Sequence, residues 1–229
     1  MGEFQRAART CLAEISARNG VAVLVGGTGL YLRAVVDDLE LPGRYPEVAA
    51  ELDREPSTSA LHARLAGLDP AAAARMEPTN RRRILRALEV TVGGGRPFSS
   101  YGPGMETYEP NRFVQVALRW ERADLDARIE ARYRSQMDDG FLDEVRDTIA
   151  RRPGRTAAQA LGYRELARHL AGECSLDEAV AEAVLRTKRF ARRQERWFRR
   201  DPRIHWFDMP VTVDEVLAHW DTQLANGGA

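Results

Sequence analysis

The chain has 229 residues, 44% of them apolar, which allows one large domain or a domain with a substantial insertion and excludes a chain disordered end to end. Its 34 basic residues balance 34 acidic ones, so no global field announces a nucleic-acid partner, and any such signal has to be local. No apolar run nears the roughly 18 residues of a membrane span, no signal peptide follows Met1, and Cys11 and Cys174 are too few for a disulfide framework or zinc site; each reads as a buried thiol in a reducing, cytoplasmic setting.

Phe4, Ala8, Cys11, Leu12 and Ile15 recur at helical steps, and Asn19-Gly20 supplies a stop. Val21 to Val25 is then an unbroken apolar run, the pattern of a parallel strand buried on both faces. It ends on Gly26 and Gly27, which allow a tight turn, and Thr28 stands where it would cap a following helix. Such a turn is a natural anion site, or it is only a short strand-to-helix connection. No Gly-Lys-Ser or Gly-Lys-Thr follows, so this is not a phosphate-binding P-loop. The other strand candidates are Phe113 to Trp120 and Arg203 to Phe207. Three strands make a thin sheet for so apolar a first one, which predicts that earlier strands are missing from the N-terminus.

From about Leu41 to Asn111 the alternation breaks, bordered by Pro42, Gly43 and Pro46 on one side and Pro97, Gly102, Pro103, Gly104 and Pro110 on the other. Inside, Leu61, Leu65 and Leu68 mark one helix, Pro70 starts a second, and Ile84, Leu85, Leu88 and Val92 mark a third ending at Gly93-Gly94-Gly95. A long amphipathic helix follows the Phe113 strand on Leu125, Ile129, Tyr133, Met137, Phe141, Val145 and Ile149, with Gly140 as a bend or break. Further helices span Ala157 to Leu170 and Leu176 to Arg200, and a closing one runs on Val213, Val216, Leu217, Trp220 and Leu224. The expected organisation is 1–40 as the first part of an α/β core, 41–112 as a helical insertion, and 113–229 as the second part of the core.

Residues 186–200 hold eight basic side chains against one acid, Glu195, a local surplus of seven. Phe190, Trp197 and Phe198 lie among them, so one stripe can face a core while arginines project towards phosphates; a solvated basic face is the bland alternative, and self-repulsion favours an anionic partner. A smaller cluster, Arg81, Arg82, Arg83 and Arg86, lies in the insertion. Gln159-Ala160-Leu161-Gly162-Tyr163-Arg164 gathers an amide, a ring and a guanidinium suited to an unpaired base, although Tyr163 could as easily be core.

Four stretches, in order, carry a resemblance: GGTGLYLRA from Gly26; Pro78-Thr-Asn-Arg-Arg-Arg-Ile-Leu-Arg-Ala-Leu-Glu-Val90; Gln159 to Arg164; and Arg192-Arg193-Gln194-Glu195-Arg196-Trp197-Phe198-Arg199. Together they resemble the tRNA dimethylallyltransferases. That resemblance implies a P-loop NTPase-like parallel-sheet core with a helical insertion. It implies transfer of a dimethylallyl group from dimethylallyl diphosphate to N6 of the adenosine 3′ to the anticodon, with Mg2+ as cofactor, the anticodon stem-loop as partner and a monomeric, cytoplasmic enzyme. By the same resemblance Thr28 and Arg132 are catalytic. Gly26, Gly27, Arg82, Arg83, Ile84, Leu85, Arg86, the 159–164 segment and the 192–199 helix then bind tRNA. Arg132 has no acid three or four residues away, which tilts it towards an anionic ligand. Two departures stand out. The family's P-loop and the Asp-Ser segment that supply the phosphate cradle, magnesium-binding hydroxyl and general base precede the point where this chain begins, and Ala49 replaces an arginine common after Pro-Glu-Val. The resulting expectation is weak tRNA binding and little transfer by this chain alone, with a non-catalytic RNA-binding remnant as the rival reading.

Overall fold

The computed structural model describes residues 1–102, 104–154 and 157–227, so the expected border residue Pro103, like the side chain of Leu224, lies outside the described residues. The chain divides into two compact units, Met1–Phe113 and Val114–Ala229.

The first unit opens with α1 (Gly2–Ala17), which ends as Asn19-Gly20 predicts. Asn19 takes a left-handed φ of 56°, and the Gly20 N–H reaches back to the Ile15 carbonyl at 2.9 Å. The double-sided strand does not form. Val21, Val23 and Val25 are 67%, 82% and 91% exposed and lie in extended, unpaired backbone. A strand buried on both faces exists only between flanking strands, and among the described residues none pairs with this run. Cys11, expected to be buried, is exposed on α1.

Residues 41–112 are mainly helical, as their pattern predicts: α3 (Pro46–Asp53), α4 (Thr58–Leu68), α5 (Pro70–Ala74) and α6 (Arg81–Gly94) follow α2 (Gly29–Val36). Leu52, Leu61, Leu65, Ala72, Ala73, Ile84, Ala87 and Leu88 make their core. Asp69 caps α5 through the Ala72 N–H at 3.0 Å and also accepts the Ser99 N–H at 2.7 Å. Leu68 and Val92, which mark the periodicity of α4 and α6, are 47% and 41% exposed. Helix α6 ends at Gly95, whose φ of 68° gives the left-handed stop that its glycine run predicts.

In the second unit the strand candidates pair with each other. β1 (Gln115–Arg119) and β2 (Ile204–Asp208) run parallel, in register from Gln115 opposite Ile204 to Arg119 opposite Asp208. The last rung is closed by a two-pronged ion pair, Arg119 Nε to Asp208 Oδ1 at 2.5 Å and Nη2 to Oδ2 at 2.8 Å. The expected long helix is broken where Gly140 predicts: its φ of 93° separates α7 (Arg122–Asp138) from α8 (Phe141–Ala150). The expected helix from Ala157 is instead a short 3-10 turn, Ala157–Gln159, followed by α9 (Tyr163–Leu170), because Gly162 between them has a φ of 88° that no helix allows. Helix α10 (Leu176–Phe198) starts on a capping box in which Ser175 and Glu178 exchange hydrogen bonds, and α11 (Val213–Gly227) closes the chain. Ile129, Tyr133, Phe141, Val145, Leu166, Ala179 and Ala183 form the core of this unit. All four tryptophans, Trp120, Trp197, Trp206 and Trp220, belong to it.

Candidate RNA-binding and transfer site

In the first unit Thr28 is the N-cap of α2: its carbonyl accepts the Tyr31 and Leu32 N–H groups at 2.9 and 3.2 Å. Its side chain is exposed and makes no capping bond, so the hydroxyl is available to solvent at the helix start. The expected steric need for glycine is not met at Gly26, where an added Cβ would meet only the Leu32 side chain at 3.7 Å, an ordinary contact. What fixes α2 is Arg33, 6% exposed. It donates to Asp37 Oδ2 at 2.5 Å and to the Met105 and Thr107 carbonyls at 2.5 and 2.7 Å, and its guanidinium lies 4.5 Å from the centre of the Tyr108 ring. Gln5 from α1 ties the same helix down, donating to the Ala34 carbonyl at 2.5 Å and to the Leu39 carbonyl at 2.9 Å.

The insertion's basic cluster separates into used and unused charges. Arg81 pairs with Asp53 at 3.0 Å; Arg86 pairs with Glu89 at 2.8 Å and donates to the Pro42 and Gly43 carbonyls. The side chains of Arg82 and Arg83 are exposed and make no ion pair or hydrogen bond among the described residues. Ile84 and Leu85 are a correction. Ile84 is fully buried in the core of this unit, which leaves it no surface for a ligand, and Leu85 is half-buried against that core; both help hold the helix that presents the arginines.

In the second unit Arg132 is exposed on α7 and unpaired among the described residues, as its sequence neighbours predict. Gln159 and Arg164 are likewise exposed, with Ala160 and Leu161 half-buried between them. Tyr163 is drawn into the core: its ring meets Phe141 edge-on at 5.2 Å and its hydroxyl donates to Glu144. That bond to a carboxylate, with burial and the carboxylate's charge adding to it, pushes the Tyr163 pKa above its usual 10.0. Gly162 is enclosed, and a Cβ there would lie 2.9 Å from Phe141 Cε1. Its N–H donates at 2.9 Å to Glu165 Oε2, and the other oxygen of that carboxylate takes Arg186 Nη1 at 2.5 Å. Sequence reading passed over Glu165; the available signal was a glutamate three residues after a helix-start position.

The surplus of seven on 186–200 also needs correcting, because counting along the chain cannot see acids brought in from elsewhere. Arg186 pairs with Glu165, Lys188 with Glu130 at 2.6 Å, Arg192 with Asp126 at 3.8 Å and Arg199 with Glu195 at 2.6 Å. Lys188 holds the Glu130 carboxyl below its ordinary range. Arg189, Arg193, Arg196 and Arg200 have no acidic partner among the described residues; Arg193 only leans over Phe190, 5.7 Å from the ring centre. Their spacing of four, three and four puts the first three on one stripe of α10, with Arg200 continuing it past the helix end. Trp197, four residues after Arg193, is half-buried at the edge of that stripe, while Phe198 is half-buried on the opposite side of the helix with Gln194 half-buried between them. Among the described residues no three His, Cys, Asp or Glu side chains gather to hold a metal ion.

Comparison with known proteins places the fold first. It is that of tRNA isopentenylpyrophosphate transferases: the structure from Bacillus halodurans superposes with a TM-score of 0.63 at 32% identity, covering 98% of this chain and 72% of that one. The structure from Staphylococcus epidermidis gives 0.64 at 26% identity, covering 98% and 75%. The tRNA dimethylallyltransferase of Thermobifida fusca is 48% identical over 225 residues, 95% of this chain and 70% of that protein; that of Kineococcus radiotolerans is 49% identical over 221 residues, 94% and 69%. A family model described as IPP transferase matches residues 1–201, and the chain belongs to that family.

Proposed function

We propose that the chain is a tRNA dimethylallyltransferase, acting on the adenosine 3′ to the anticodon with dimethylallyl diphosphate as donor. In that reaction N6 attacks C1 of the dimethylallyl group, the C1–O bond breaks, the diphosphate leaves with the electron pair and N6 gives up a proton. The leaving group gathers negative charge, which a guanidinium stabilises more than any neutral side chain does. Arg132, exposed and with no acid among the described residues to neutralise it, suits that role, and the Thr28 hydroxyl suits the neighbourhood of the reacting base. The unpaired Arg82, Arg83, Arg189, Arg193 and Arg196 suit the phosphates of the stem-loop, and exposed Gln159 and Arg164 suit an unpaired base.

The observation that carries this reading is the coincidence of family and charge: the family match runs through all four motifs, and within them the arginines split into those spent on internal acids and those left facing solvent. An anticodon stem-loop with adenosine beside the anticodon, compared across a salt series with one in which that base is changed, tests it. The expected result is a steep fall with salt and tighter binding of the adenosine loop. Equal binding of both loops would reduce the chain to a basic surface and refute the base-specific role.

A further inference from the structure

The 159–164 loop owes its shape to one buried carboxylate. Glu165 is 2% exposed, so it cannot touch RNA, yet its two oxygens are divided between two different elements: Oε2 takes the Gly162 N–H at 2.9 Å and Oε1 takes Arg186 Nη1 at 2.5 Å. Within the 159–164 segment Gly162 is the last residue before α9, and Arg186 stands three residues before the unpaired stripe begins at Arg189. The rest of the enclosure is buried and hydrogen-bonded. Gly162 abuts Phe141 and the Tyr133 hydroxyl, and that hydroxyl is bonded at 2.9 Å to Thr187 Oγ1, the neighbour of Arg186 on α10. Tyr133 is on α7, one residue from Arg132. One carboxylate therefore registers the loop against the basic helix, within a cage that also includes the helix bearing Arg132.

We propose that Glu165 is a positioning residue for RNA recognition, holding the Gln159–Arg164 loop and the arginine stripe of α10 in the one arrangement that binds the stem-loop. This rests on the function proposed above. The sign of its effect is diagnostic. Neutralising a carboxylate raises the net charge by one, and electrostatics alone would then tighten the hold on a polyanion. Loss of positioning weakens it.

The test is stem-loop binding by the full chain and by Glu165→Gln, well below the unfolding temperature of each. The expected result is about tenfold weaker binding by the variant, about 1.4 kcal/mol, with an unchanged salt slope because no phosphate contact is removed. Equal or tighter binding by the folded variant would overturn the proposal, whereas failure of the unaltered chain to bind would instead reject the function it rests on. Should Glu165→Gln not fold, hydrogen exchange of the Gly162 amide in Arg186→Met decides the matter. Positioning predicts protection there falling at least tenfold while amides of β1 and β2 are unaffected; an unchanged Gly162 amide, or an even loss across the unit, overturns it.

Discussion

Replacing Gly162 by alanine adds one methyl group at a place that resists it twice over. A φ of 88° with a ψ of −48° lies where L residues are strained by about 1–3 kcal/mol. The new Cβ would also stand 2.9 and 3.0 Å from Cε1 and Cζ of Phe141 and 3.3 Å from the Tyr133 hydroxyl. Neither ring retreats easily: Phe141 and Tyr133 are 8% and 3% exposed, and the tyrosine is bonded to Thr187. Overpacking of this kind costs about 1–3 kcal/mol. The two terms together amount to about 2–6 kcal/mol, which at a urea slope of about 2 kcal/mol per molar moves the midpoint down by about 1–3 M. Tryptophan fluorescence reads this cleanly, since all four tryptophans lie in the same unit as Gly162. Gly172→Ala is the control: its φ of 78° is also positive, but its Cβ would meet nothing within 4 Å. If the two variants lose the same stability, the packing half of the reasoning is refuted.

Removing both Arg82 and Arg83 should flatten the salt dependence of stem-loop binding by about 0.7–0.9 in slope per lost phosphate contact, without altering stability, because neither side chain has an internal partner among the described residues; an unchanged slope would take this helix out of the interface. Arg132→Ala should weaken dimethylallyl diphosphate about tenfold or more by titration calorimetry while leaving the stem-loop salt slope almost unaltered; undiminished donor binding would deny Arg132 its role. Burial alone would raise the Asp69 pKa, but hydrogen bonds from Ser99 and Ala72, with Arg75 nearby, outweigh it and hold the group below its ordinary 3.8. A depressed folded pKa means the contribution is complete above 3.8 and is lost as pH falls through the lower value, so the gap in melting temperature between the unaltered chain and Asp69→Asn should close in that acid range. A constant gap would show that the charge is immaterial.

Punctuation was the most readable part of the sequence. Asn19-Gly20, Gly140 and Gly95 each stop a helix where their residue type predicts, since the need for a left-handed residue is local and leaves a local mark. The insertion was legible for a related reason, as leucine spacing records which face of a short helix is buried. Val21 to Val25 shows the opposite case: an apolar run states what a segment would do among neighbours, not whether neighbours are there to pair with it. Site residues divide along the same line. That Arg132 lacks a partner could be read from the positions one turn away, but the pairing of Arg186, Lys188 and Arg192 depends on α7 and α9 being folded against α10, and no window along the sequence contains that information. Ile84 shows how a motif misleads when taken whole, because one run mixes exposed arginines with buried residues that only carry them.

The acids that pair with α10 therefore act as borders. Glu130, Asp126 and Glu195 mark one side of the arginine stripe and Glu165 marks its beginning, so the width of the basic track is drawn by carboxylates and not by the number of arginines. A change such as Glu130→Gln would free Lys188 and broaden the track without adding a single positive residue. On the function proposed above, selectivity for one strand path over a general affinity for anything negative would be set by the acidic residues on and around this basic helix.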